Sequence, residues 1–184
     1  MSEVQVVGPG DWRVWRELRL AALAEAPGVF SAKLSEWTGP GDTETRWRAW
    51  LTEIPFTVIV WWQGIPAGMA GAFCPAADRV ELVAMWVAPV ARGHGVGDAV
   101  VEAVVRWAGD RRVGLVVNRD NRPAIRLYER HGFADTDLPT DHVGEKRMLR
   151  PHDGTRCATG VCARHGRPDT TGDHSLAPGF TGPR

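Results

Sequence analysis

Residues 79–107 read RVELVAMWVAPVARGHGVGDAVVEAVVRW. The first nine, 79–87, are rich in β-branched and large apolar side chains, the composition of a buried strand. Pro89 ends that strand, because proline has no N–H to give to a sheet ladder. Arg92-Gly93-His94-Gly95-Val96-Gly97 follows, and apolar residues at 96, 100, 103, 104 and 107 then mark one face of a helix. Strand, glycine-rich turn and helix together form a phosphate-binding layout. The glycines let the backbone approach a ligand, and the helix start offers unpaired N–H groups and a positive dipole end to an anion.

Spacing narrows the choice of ligand. A dinucleotide fingerprint requires a third glycine at position 98, where Asp98 stands. A P-loop requires a lysine after the last glycine, and none follows Gly97. Arg92, Gly95 and Gly97 do satisfy [QR]-x-x-G-x-[GA]. This resembles the acetyl-CoA pyrophosphate loop of the GNAT superfamily of N-acetyltransferases. Residues 121–133, NRPAIRLYERHGF, follow one short strand later and resemble the second signature region of the same family. The two motifs in this order are far more specific than either alone.

The periodicity elsewhere agrees with that resemblance. The pattern predicts a short strand at 3–7 and a helix from an Asp11 cap to about Ala26. A second helix is expected from Thr43 to about Leu51, capped by Asp42. Strands at 56–62 and 65–73 are joined by the Gln63-Gly64 hairpin, and 74–78 turns into the strand at 79. Beyond the central helix come a strand at 113–117, parallel to the one at 79, a helix at 124–131 ended by Gly132, and two final strands. The expected class is a mixed α/β (α+β) fold of the GNAT acyl-CoA N-acyltransferase kind. Its central sheet is mixed but mostly antiparallel, with helices on both faces, in the order β-α-α-β-β-β-α-β-α-β-β. The domain spans 1–150.

The resemblance implies roles. Backbone N–H groups of Arg92, Gly93, His94, Gly95, Val96, Gly97 and Asp98 would hold the cofactor's pyrophosphate, with Asn121 also contacting the cofactor. As the only turn histidine, His94 is expected to meet solvent or phosphate. The pantetheine arm would pair with strand backbone at Met85, Trp86 and Val87, where an N–H polarises the thioester oxygen. Tyr128, the only tyrosine, stands where the family places the acid that protonates the departing thiolate. A phenol of ordinary pKa, about 10, is a proton donor at neutral pH without adjustment. Its other reading is a ring packed on Phe133. Glu81 matches the strand-four glutamate that histone-type members use as base; its other reading is an outward, idle carboxylate. Val116 stands where ribosomal-protein acetyltransferases carry a glutamate, which argues against that type.

The resemblance also places the acceptor against residues 26–37, APGVFSAKLSEW, and the strand around Trp61 and Trp62. That loop is largely apolar or small and lacks an acidic cluster, which favours a small amine or a peptide end over a polyamine. Arginines at 111, 112, 119, 122, 126 and 130 make either a basic patch near the adenosine 3′-phosphate or an ordinary solvated face.

Composition sets further bounds. With 184 residues, and 22 Lys plus Arg against 22 Asp plus Glu, the chain has no basic field for nucleic acid or an anionic membrane. It carries no secretory signal pattern and no apolar run of membrane-span length, so a cytoplasmic protein is expected. Three scattered cysteines make no disulfide framework, and the nine tryptophans are expected in the core or lining a groove. In residues 151–184, ten of the 34 are Gly or Pro, a composition expected to be disordered. Cys157, Cys162, His165 and His174 are spaced too loosely for a zinc site, so no metal is expected. Acetyl-CoA is the expected co-substrate, with a small-molecule or peptide amine as acceptor and a homodimer as a further option. The alternative is an idle GNAT fold that binds an acyl-CoA as a sensor or interaction module.

Overall fold

The computed structural model describes residues 2–30 and 32–151, so the expectations for 152–184, including the cysteines and histidines there, lie outside the described residues. Seven strands form one sheet in the order β1-β2-β3-β4-β5-β7-β6. They are β1 (Ser2–Val6), β2 (Phe56–Trp62), β3 (Ile65–Ala76), β4 (Arg79–Val87), β5 (Arg112–Asn118), β6 (Ala134–Thr136) and β7 (Glu145–Arg150). Helices α1 (Trp12–Glu25) and α2 (Glu44–Glu53) precede β2; α3 (Val96–Ala108) joins β4 to β5, and α4 (Arg122–Arg130) follows β5. Only β4 and β5 are parallel, as a strand–helix–strand unit requires; every other pair is antiparallel.

Strand alternation divides the core. Val58, Val60, Ala70, Val80, Leu82 and Leu115 point to one face, where they meet Val100 and Val104 of α3 and Ile125 of α4. Ile59, Met69 and Trp86 point to the other and meet Trp15 and Leu18 of α1 and Trp47 of α2. Much of the tryptophan content sits on this second face: Trp15 stacks on Trp50 at 4.6 Å, and Trp37 packs against Trp47 at 4.5 Å. Gly68 on β3 lets α3 lie close. A Cβ there would stand 2.7 Å from Val96 Cγ1 and 3.0 Å from Val100 Cγ2.

Several local expectations are corrected. Thr43, not Asp42, caps α2, its hydroxyl accepting from the Arg46 N–H at 3.3 Å. The Asp42 carboxylate turns away to Arg16 of α1 and to Trp47 Nε1, the latter at 2.9 Å, and so ties the two helices together. Asp11 occupies the cap position of α1, but its carboxylate accepts from the Gly8 N–H instead. Strand β3 runs on to Ala76, so Cys74 lies in a strand rather than a turn. Helix α4 begins two residues earlier than the apolar spacing suggested, because Pro123 is already helical and Asn121 caps it.

Candidate active site

Strands β4 and β5 run together for three residue pairs only, ending at Glu81 and Gly114. Past that point β5 stays with β7 as far as Asn118, and β4 stays with β3 as far as Val87. The parting has a local cause in β4. Ala84 takes a left-handed φ of 55°, and the β3–β4 register slips between Met69 and Gly71. A non-glycine residue held there costs about 1–3 kcal/mol, and the bulge bends the strand. The result is a cleft of about 750 Å³ between the two strands, walled by β4, β5, the glycine turn and α4.

The glycine turn forms the mouth of the cleft. Gly93 (φ 79°) and Gly95 (φ 78°) are left-handed, which glycine adopts without a Cβ penalty. Gly95 is the N-cap of α3, whose first ladder bond runs from the Ala99 N–H to the Gly95 carbonyl. The N–H groups of Val96, Gly97 and Asp98 therefore precede the ladder and are available to an anion. Gly97 lets α4 come close, since a Cβ there would be 3.0 Å from Leu127 Cδ2.

Most of the residues expected in the site do converge here. Met85, Trp86, Val87, Arg92, Gly93, Gly95, Gly97, Asp98, Asn121 and Tyr128 all line the cleft. Three residues sit differently. His94 lies outside the wall, exposed to solvent, with its ring stacked on Trp62 at 4.7 Å. Val96 points its side chain into the core, fully buried, and only its backbone faces the turn. Glu81 lies at the root of the split, on the sheet face opposite Val80 and Leu82. It does not face outward: it is buried, and its Oε1 accepts from Arg147 Nη1 at 2.7 Å. Its Oε2 is buried without a hydrogen-bond partner among the described residues.

Tyr128 is buried beneath the cleft, with its hydroxyl donating to Met85 Sδ at 3.4 Å and its ring tilted against Phe133 at 5.8 Å. Both expected contacts, toward the cleft and toward Phe133, are made at once. Burial pushes the phenol pKa well above its ordinary value, so the hydroxyl stays protonated but is not a free-solution acid. Asn121 likewise combines two readings, since its side chain accepts from the Ala124 N–H at 3.2 Å as the α4 cap and also borders the cleft.

Sequence reasoning missed Glu25. The last residue of α1 lines the cleft, where its Oε2 accepts from Trp86 Nε1 at 3.0 Å and from Arg92 Nη2 at 2.9 Å. Arg92, then Trp86, hold its carboxyl below the usual range. No local pattern signals an acidic residue 67 positions from its partner. The arginines singled out by sequence split up rather than forming one patch. Arg112 pairs with Asp78 and Arg130 with Asp98, while Arg119 donates to the Glu145 carbonyl. Among the described residues no group of His, Cys, Asp or Glu is arranged to hold a metal, and no helix is long and apolar enough to cross a membrane.

The chain is similar to known proteins. The Acetyltransferase (GNAT) family matches residues 18–133. A mycothiol acetyltransferase of Salinispora arenicola is 32% identical over 139 residues, covering 68% of this chain and 42% of that protein. This chain therefore spans less than half the length of that relative. Among solved structures, a GNAT superfamily phosphinothricin acetyltransferase from Sinorhizobium meliloti in complex with AcCoA aligns with a TM-score of 0.66. Its identity is 20%, over 88% of this chain and 96% of that one. The PaiA N-acetyltransferase of Thermoplasma acidophilum in complex with coenzyme A aligns with a TM-score of 0.64 at 15% identity, over 83% of this chain and 99% of that one. At such identities the two structures establish the fold. The chain belongs to the GNAT acetyltransferase family.

Proposed function

We propose that this protein is an N-acetyltransferase that moves an acetyl group from acetyl-CoA to a primary amine of a small molecule or peptide. The observation that carries the reading is the parting of β4 from β5 directly below a glycine turn whose N–H groups are free for an anion. A pyrophosphate fits the turn, and a thin pantetheine arm fits the split, hydrogen-bonding along the unpaired edge of β4. The names of the relatives, and the cofactor complexes among the structural neighbours, support the same reading.

The reaction follows by direct transfer. An acceptor ammonium first loses a proton, for which Glu81 is the base; Oε2 takes it, Oε1 being held by Arg147. Because the Glu81 side chain lies on the α1–α2 face, the acceptor enters from that face and meets the thioester at the split. The amine nitrogen attacks the thioester carbon, and a β4 N–H between Met85 and Val87 stabilises the oxyanion. The C–N bond stays, the C–S bond breaks, and the thiolate takes a proton from Tyr128. The second proton leaves the nitrogen as it becomes an amide and returns through solvent to the tyrosinate. The Tyr128 hydroxyl already donates to a sulfur, that of Met85. The buried Tyr128 and the orphaned Glu81 oxygen favour an enzyme over an idle acyl-CoA-binding module.

Calorimetric titration tests the reading. Acetyl-CoA and CoA should bind, while ATP and NAD should not. Asparagine tolerates the left-handed backbone, so Gly95→Asn should keep the fold, crowd the turn and weaken CoA binding about tenfold or more. Binding of ATP or NAD in place of CoA would overturn the assignment. CoA binding without acetyl transfer to any amine would favour the idle module.

A further inference from the structure

Arg19 is a cation that the fold leaves unanswered. It lies on α1, only 7% exposed, and its Nη1 is buried with no hydrogen-bond partner among the described residues. Other guanidiniums of the chain meet carboxylates: Arg16 meets Asp42, Arg92 meets Glu25, Arg130 meets Asp98 and Arg147 meets Glu81. The Arg19 guanidinium meets instead the face of Phe30, 4.6 Å from the ring centroid. Burial lowers its pKa to about 10, so it is still charged at neutral pH.

A buried charge without a partner is disfavoured, and a leucine or methionine would fill the same space without that cost. The aromatic face compensates only in part. Phe30, the ring that the guanidinium covers, lines the cleft beside Glu25 and Val29. On the reading above, the acceptor enters from this α1–α2 face.

We propose that Arg19 recognises a carboxylate on the acceptor, which makes the acceptor a small amino acid rather than a simple amine. The inference rests on the acetyltransferase reading above. A guanidinium suits a carboxylate because its N–H groups form a planar fork that matches the two oxygens. Phe30 would swing aside as the acid enters, exchanging its ring for the anion on the same guanidinium. The amino group of such an acceptor would then be held facing the split between β4 and β5.

The test uses the full chain, acetyl-CoA, and matched acceptors that differ only in the carboxylate: phenylalanine and phenethylamine, tryptophan and tryptamine, leucine and isoamylamine. CoA release is followed with a thiol reagent. In at least one pair the acid should exceed its amine about tenfold or more in kcat/KM, the range of a charge-assisted hydrogen bond. Arg19→Met should collapse that ratio toward one, chiefly through KM. It should also raise the melting temperature, because a charge that is unpaired in the free protein has gone. A guanidinium that served only to hold Phe30 would give the opposite shift. Equal turnover of acid and amine, turnover of amines only, or an acid preference that survives in Arg19→Met would overturn the inference. So would failure of every acid in a protein that binds acetyl-CoA, and that result would leave the cofactor reading standing. Failure to bind acetyl-CoA would instead bring down the reading on which the inference rests.

Discussion

Arg92 Nη2 lies 2.9 Å from Glu25 Oε2, so the arginine of the glycine turn is held by the last residue of the first helix. Its Nε donates at the same time to the Val87 carbonyl at 3.1 Å. Both side chains border the cleft, and the pair joins the cofactor mouth to the loop that follows α1. On the proposed reading, a pyrophosphate arriving at the turn would compete with Glu25 for this guanidinium.

Glu25→Gln should therefore tighten CoA binding, by up to about fivefold, the upper range for an exposed ion pair. In an Arg92→Ala background the same change should have no effect on CoA. Pantetheine, which lacks the pyrophosphate, should not distinguish Glu25→Gln from wild type. Calorimetry on the four proteins of the cycle measures the coupling, and weaker binding by Glu25→Gln would show that the pair organises the site instead of competing for it.

Tyr128→Phe removes a hydroxyl whose one partner is a thioether sulfur, a weak acceptor. The melting temperature should change little. The turnover number for acetyl transfer should fall about a hundredfold or more, the usual scale for loss of general-acid help. CoA affinity staying near the wild-type value would place the loss in the chemical step. Unchanged turnover would remove Tyr128 from the mechanism.

Glu81 is framed by Arg147 and by Gly114, where a Cβ would come within 2.8 Å of Glu81 Oε2. Gly114→Ala should displace the carboxylate without touching the cleft wall. If Glu81 is the base, both Gly114→Ala and Glu81→Gln should slow transfer about tenfold to a thousandfold. Unchanged transfer in Glu81→Gln would assign the base elsewhere.

Asp42 ties α1 to α2, and its two partners, Arg16 first and then Trp47, depress its pKa to about 2. A carboxylate whose folded pKa lies below its unfolded value of about 3.9 stabilises the protein above that unfolded value. The contribution fades as pH falls from about 4 toward 2. Asp42→Asn should thus lower the melting temperature at pH 7, and the gap to wild type should narrow by pH 3. Thermal unfolding across that range measures it, and a gap that widens on acidification would contradict the assignment.

Gly68→Ala places a methyl group where Val96 and Val100 of α3 already lie. Overpacking of this kind costs about 1–3 kcal/mol. Denaturant unfolding should show the loss, and CoA binding should weaken with it because the displaced helix carries the glycine turn. A wild-type midpoint would mean that α3 shifts freely.

The bounds of β4 and the start of α3 follow from local causes, and so were legible in residues 79–107. A run of β-branched residues, a proline and two left-handed glycines each act within a few positions. The α4 motif was legible for the same reason. What misled the local reading was competition from distant groups. Asp42 looked like a cap, but Arg16 offered a charged partner and left Thr43 to do the capping. His94 does reach solvent as expected, but Trp62 of β2 also presents a flat ring to it. Tyr128 looked like an ordinary phenol, but the walls around it strip away water.

By itself the sequence determined the order of elements, the glycine turn and the family, because these depend on short-range sterics, periodicity and spacing. Only the tertiary structure decided which charges meet: Glu25 with Arg92, Glu81 with Arg147, and Arg19 with none among the described residues. An ion pair links residues brought together by the sheet from positions dozens apart. Its free energy depends on burial and distance, and neither is written in the chain order.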